Sequence, residues 1–117
     1  MTHVHAGVTV ELTTGNIAKQ SDVEAVVNAA NAQLRTGYEN ALRQAEENTI
    51  ASVAFPALST GAFGYPLDEA ARIALETILD AAPDLDSVTH VRFVLFDETA
   101  RSVHEKALSA VRDETGP

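Results

Sequence analysis

Ala54-Phe55-Pro56-Ala57-Leu58-Ser59-Thr60-Gly61-Ala62-Phe63-Gly64-Tyr65-Pro66 is the stretch on which the fold turns. It leaves an apolar strand running from Ile50 to Leu58, passes through the loop Ser59–Gly64, and enters a helix that Pro66 opens. Gly61 and Gly64 permit conformations that aim successive backbone N–H groups the same way, next to a helix N-terminus, which is how proteins hold anions. The loop holds no Lys or Arg, and no Gly-Lys-Ser/Thr is present, so it is not a Walker-type phosphate loop. Taken alone, the segment fits a structural turn before it fits an anion nest.

Working outward toward the N-terminus, Val8, Val10 and Leu12 alternate with Thr9, Glu11 and Thr13, the pattern of a half-buried strand that Thr14-Gly15-Asn16 ends. Ile17–Asp22 reads as a short turn or helix. Glu24–Val27 is a second strand whose run Ala25-Val26-Val27 suits an inner position. Asn28-Ala29-Ala30-Asn31 lies at its carboxyl end; the two carboxamides suit either turns or hydrogen bonds to sugar hydroxyls. Tyr38, Ala41, Leu42 and Ala45 recur at helical spacing, which predicts a helix over 38–47 with Asn48 as its stop.

Toward the C-terminus, Asp68 and Glu69 fall in the first turn of the Pro66 helix, and Ala71, Ala74, Leu75 and Ile78 give its buried face up to Leu79. Val88–Phe96 is a fourth strand, and Ala100, Val103, Ala107 and Val111 mark a last helix. Asp113–Pro117 reads as a frayed tail of a single domain, 1–117. Strands interleaved with helices predict a three-layer α/β/α sandwich that binds its ligand across the carboxyl ends of the strands.

Composition narrows the function. The chain has 117 residues, 45% hydrophobic and 21% charged, which is globular. It has no cysteine, which excludes disulfides, thiolate metal sites and a cysteine nucleophile. No apolar run approaches a membrane span, and the first residues lack a basic region before an apolar one, so a cytoplasmic protein is expected. Eight basic residues against 17 acidic ones leave a net charge of −9, a surface that repels nucleic acids and anionic membranes. Only Lys19 and Lys106 are lysines, which suits either an ordinary acidic protein or adaptation to high salt. His3 and His5 lack an acidic cluster and read as exposed residues, so no metal and no cofactor are expected. His90 reads as a strand residue and His104 as a surface helix residue. Ser59 has no histidine in the strand-end loops to act as its base. Asp97 reads as a helix N-cap ahead of a general base.

Four stretches, in this order, resemble the macrodomain family over nearly the whole chain: Val10–Ile17 with Gly15-Asn16-Ile17, Ala25–Asn31, Ala54–Pro66 and Arg92–Asp97. The resemblance implies a fold that binds ADP-ribose or its derivatives, many members hydrolysing ADP-ribosyl or O-acetyl-ADP-ribose esters. It puts Asn16 where the family usually has an acidic residue accepting the adenine amine. Ile17 would give the base an apolar wall and a backbone N–H, and Phe96 would pack on it with Asp97 alongside. Ser59, Thr60, Gly61, Ala62 and Phe63, with Gly64, would wrap the diphosphate. Phe63 would also line the distal ribose, which Asn31, with Asn28 in the same segment, would hydrogen-bond; in hydrolytic members the counterpart of Asn31 orients the reacting group.

One departure from the family is large. Members normally follow the double-asparagine segment with a glycine-rich loop, a helix and two strands, whereas here Asn31-Ala32-Gln33-Leu34-Arg35-Thr36-Gly37 runs straight into Tyr38. What the resemblance leaves is a sheet of about four strands ordered first, fourth, third, second, with the Ala25–Val27 strand at an edge that should either pair with another chain or be covered by Gln33–Gly37. Three functions stay open: an ADP-ribose-binding module, a hydrolase of ADP-ribosyl or O-acetyl-ADP-ribose esters, and a minimal scaffold that has lost its ligand.

Overall fold

Thr2–His5 (β1) and Val8–Thr14 (β2) form an antiparallel hairpin in which His5 faces Val8. The two residues between, Ala6 and Gly7, have φ of 51° and 82°, and positive φ at both central positions is what a tight hairpin turn requires to match the twist of its strands. A computed structural model describes residues 1–16, 19–26, 34–56 and 66–115. After the hairpin come Ala25–Val26 (β3), the helix Leu34–Glu47 (α1), Ser52–Phe55 (β4), Leu67–Ala81 (α2), a 3-10 turn at Ala82–Asp84, His90–Leu95 (β5) and the helix Glu98–Thr115 (α3).

Among the described residues five strands make one mixed sheet in the order β1-β2-β5-β4-β3. Apart from the antiparallel β1, every neighbouring pair is parallel. From β2 onward the order is the expected first, fourth, third, second. The strand β1 was not expected; its alternating half-exposed pattern is that of an outer edge.

Register explains the core. Val10, Val91 and Val53 are cross-strand neighbours, and so are Leu12, Phe93 and Phe55 one pleat further on. Side chains alternate across a strand, so both rows lie on one face. That face is buried against Tyr38 and Leu42 of α1, Ala74, Leu75 and Ile78 of α2, and Ala100, Leu108 and Val111 of α3. The Tyr38 ring stands 5.0 Å from Phe55 and 5.9 Å from Phe93, tilted against both, a favourable aromatic geometry.

The opposite face carries Thr9, Glu11 and Thr13 of β2 with His90, Arg92 and Val94 of β5. Among the described residues its cover is the connection around Gln20 and Asp22, which reaches Arg92.

The helix α1 begins earlier than the periodicity suggests, at Leu34. It closes at its C-terminus with the N–H of Ile50 on the Ala45 carbonyl at 2.9 Å and that of Thr49 on Glu46 at 3.2 Å. The helix α3 runs through Thr115, into the stretch expected as a tail. His104 is a correction: it is buried, 2% exposed, rather than on the surface. The face of α3 is set by Ala100, His104, Leu108 and Val111, a stripe rotated from the Ala100, Val103, Ala107, Val111 one because His104 was read as polar.

Candidate functional site

The parallel strands β2 and β5 end side by side. Thr14 pairs with Leu95, and the Gly15 N–H donates to the Leu95 carbonyl at 3.2 Å. Continuing that register sets Phe96 level with Gly15, and Asn16 level with Asp97, just beyond the end of the sheet. Phe96 is 68% exposed, although β5 behind it is buried through Val94 and Leu95. The cause is local. Asp97 Oδ1 accepts the Ala100 N–H at 2.8 Å and caps α3, so the chain reverses directly after the strand and leaves the Phe96 ring in solvent. An exposed aromatic ring at a strand end in an α/β sheet offers a flat surface to a ligand there. Asp97 thus takes the capping role expected of it.

Behind Asn16 lies a polar network on the face opposite the helices. The Asn16 carbonyl accepts from the Lys19 N–H at 3.0 Å and from Gln20 Nε2 at 2.9 Å. Gln20 Oε1 in turn accepts from Arg92 Nη1 at 2.9 Å. The Arg92 fork grips both oxygens of Asp22, at 2.7 and 2.8 Å, and its Nε donates to Glu11 Oε1 at 2.9 Å. His90 Nε2 lies 2.9 Å from that same Glu11 oxygen. Bidentate arginine–carboxylate contacts of this kind are strong and directional.

The charges respond accordingly. Hydrogen bonds from Arg92, then from its own backbone, pull the Asp22 carboxyl down to about 2. Burial pushes Glu11 up, but hydrogen bonds from Arg92 and His90 outweigh it and leave its pKa lowered. The Arg92 guanidinium is held more firmly charged by Asp22 and Glu11.

Of the residues singled out in the sequence as the site, the structure describes Asn16, Phe96 and Asp97, each just beyond the end of β2 or β5. Ile17, Asn28, Asn31, Ser59, Thr60, Gly61, Ala62, Phe63 and Gly64 lie outside the described residues. The sequence reading missed the Glu11–Arg92 pair and its partners Gln20 and Asp22. A signal existed: Glu11 and Arg92 sit at outward positions of strands predicted to be neighbours, with opposite charge. His3 and His5, expected as exposed, are half-buried on β1 with rings 6.3 Å apart. Among the described residues no group of His, Asp and Glu is placed to hold a metal ion, and no helix is long and apolar enough to cross a membrane.

The comparisons with known proteins agree with this architecture. The family model of the Macro domain matches residues 13–74, more than half of the chain. A macro domain-containing protein of Streptomyces griseus is 46% identical over 78 residues, covering 67% of this chain and 43% of that protein. An O-acetyl-ADP-ribose deacetylase of Klebsiella pneumoniae is 39% identical over 77 residues, 66% of this chain and 44% of that protein. The chain spans less than half the length of the curated relatives it matches. An Oceanobacillus iheyensis macrodomain solved with ADP superposes with a TM-score of 0.88 at 22% identity, covering 97% of each chain. A Trypanosoma brucei macrodomain in complex with ADP-ribose gives 0.77 at 21%, over 85% of this chain and 68% of that one. The chain belongs to the macro domain family, and its fold is the macrodomain α/β fold.

Proposed function

We propose that this chain is an ADP-ribose-binding module, taking ADP-ribose itself or an ADP-ribosylated substrate across the ends of β2 and β5. The observation that carries this is the exposed Phe96 ring at the end of β5, just beyond the Gly15–Leu95 hydrogen bond. Phe96 would stack on the adenine, with the carboxamide of Asn16 and the N–H of Ile17 meeting its edge. Backbone N–H groups of Ser59–Gly64 would hold the diphosphate, in keeping with a net charge of −9 and a loop without bases. Asn28 and Asn31 would meet the distal ribose. Phe96→Ala should weaken ADP-ribose by about 1–3 kcal/mol, the scale of base–aromatic stacking, and leave ribose 5-phosphate unchanged in calorimetric titration. Equal affinity of the wild type for the two ligands would remove the adenine site.

A hydrolase of O-acetyl-ADP-ribose or ADP-ribosyl esters is the second reading, favoured by relatives that carry the deacetylase name. In it Asn31 would orient the reacting group. Nucleic acid is not a partner on this proposal, and a second copy would pair through the β3 edge. A cytoplasmic setting and adaptation to high salt complete the proposal. The acidic surface supports the latter, and thermal stability that rises from low to molar salt tests it.

A further inference from the structure

We propose that Gln20 and Arg92 are positioning residues for base recognition, holding the Asn16 backbone at the place where an adenine edge would meet it; this rests on the ADP-ribose reading above. The supporting geometry is a continuous chain of hydrogen bonds from the sheet to that backbone. Arg92 is anchored on β5, its side chain 13% exposed, by Glu11 of β2 on one side and Asp22 on the other. Its Nη1 fixes the oxygen of the Gln20 carboxamide at 2.9 Å. With that oxygen fixed, the amide nitrogen can only point the other way, and it donates to the Asn16 carbonyl at 2.9 Å.

Asn16 lies just beyond the paired residues of β2 and β5. Its carbonyl takes two donors, Lys19 N and Gln20 Nε2, which fill both lone pairs and fix the direction of that carbonyl. Gln20 Nε2 also comes within van der Waals reach, 3.7 Å, of where a Cβ on Gly15 would stand, so the amide lies directly over the Gly15-Asn16 turn. Carboxylates could hold Arg92 without Gln20. The Gln20 carboxamide accepts from the guanidinium with its oxygen and donates to the Asn16 carbonyl with its nitrogen. On the ADP-ribose reading, a shift of the Asn16 backbone would change its meeting with the base edge and leave untouched the phosphate and the ribose, which that reading places elsewhere along the strand ends.

Gln20→Glu separates the two jobs. A carboxylate keeps the contact with Arg92 but has no proton for the Asn16 carbonyl. The probes are ADP-ribose, its inosine counterpart, in which an oxygen replaces the exocyclic amine, and ribose 5-phosphate, all by calorimetric titration. The expected result is a loss of about two- to tenfold for ADP-ribose, the range of one hydrogen bond, with a reduced preference over the inosine form, unchanged ribose 5-phosphate binding and no fall in Tm. Arg92→Gln should give the same change in base preference with a lower Tm. Wild-type affinity and preference in both variants, or an equal loss for all three ligands, would overturn the proposal. Should the wild type bind no ADP-ribose, the functional reading fails by itself. The hold on Asn16 is then judged from hydrogen exchange at the Lys19 amide: faster exchange in Gln20→Glu supports it and an unchanged rate overturns it.

Discussion

Glu46, in the last turn of α1, accepts the backbone N–H of Val88 at 2.7 Å across a sequence separation of 42 residues. The same carboxylate takes the N–H of Ser87 at 2.8 Å and that of Asp86 at 2.6 Å. Three successive amides ahead of β5 are thereby satisfied by one side chain, and the carboxyl is correspondingly changed: burial raises its pKa, but the three N–H donors outweigh this and lower it. Charge-assisted bonds of this kind contribute about 1.5–3 kcal/mol, less at an exposed site. Glu46→Ala should cost about 2 kcal/mol in urea unfolding and Glu46→Gln about half of that. Because the folded pKa is depressed, the contribution is present above the ordinary value of 4.5 and is lost as pH falls through the folded pKa. Equal stability of Glu46→Ala and wild type at neutral pH would remove the clamp from the account.

Thr49, two residues beyond the end of α1, has φ of 56°, left-handed backbone that a β-branched residue adopts only under strain. Glycine is at home there. Thr49→Gly should stabilise the protein by about 1 kcal/mol and raise Tm by a few degrees, with no effect on any ligand. A lower Tm would show that the Thr49 side chain contributes something the backbone does not reveal.

The strands β2 to β5 and the helices were legible because their apolar residues serve one shared core: β2 showed its inward face by alternation, and β3, β4 and β5 showed themselves as apolar runs. The β5-β4-β3 order came instead from the family resemblance. What the spacing concealed were polar residues with partners far along the chain. His104 looked like surface because histidine is polar, yet its ring is buried 6.0 Å from that of Phe93 with Nδ1 on the Ala100 carbonyl at 2.8 Å. Glu11 and Arg92 looked like solvated halves of two strands until register put them opposite each other. The strand β1 was hidden because Thr2–His5 is short and half polar. At the candidate site, the end of β5 and the capping role of Asp97 could be read locally, whereas the link from Arg92 through Gln20 to Asn16 depends on how the connection folds back over the sheet.

His104 makes stability depend on pH near neutrality. Burial lowers its pKa and outweighs the opposing effect of the Ala100 carbonyl, so the folded protein holds it neutral. Below the ordinary value of 6.5 the unfolded chain binds a proton that the folded one refuses, and stability falls with pH until the folded pKa is reached. Tm should therefore drop between pH 7 and about pH 5, before the carboxylates titrate. His104→Met, which keeps an apolar body against Phe93, should flatten that slope. A variant with the wild-type slope would place its origin elsewhere.

Binding should outlast catalysis in this chain. Hydrolysis of an ADP-ribosyl ester requires the distal ribose, a water and the leaving group to be held together, with reacting atoms within about 3–3.5 Å. In the resembling family a glycine-rich loop closes one side of that ribose. Here β3 ends at Val26 and α1 begins at Leu34, so residues 27–33 are all that connect them. That connection contains the asparagine segment itself and leaves no length for the loop, the helix and the two strands that usually follow. Asn31 and Phe63 would then hold one side of the ribose and leave the other to solvent. Gln33, the polar side chain next along, is no base at neutral pH. ADP-ribose should therefore bind with measurable affinity while acetate release from O-acetyl-ADP-ribose stays near background. The same assay on Asn31→Ala decides between the two readings: robust wild-type turnover that disappears in this variant would establish the hydrolase and show the family's glycine-rich loop to be dispensable.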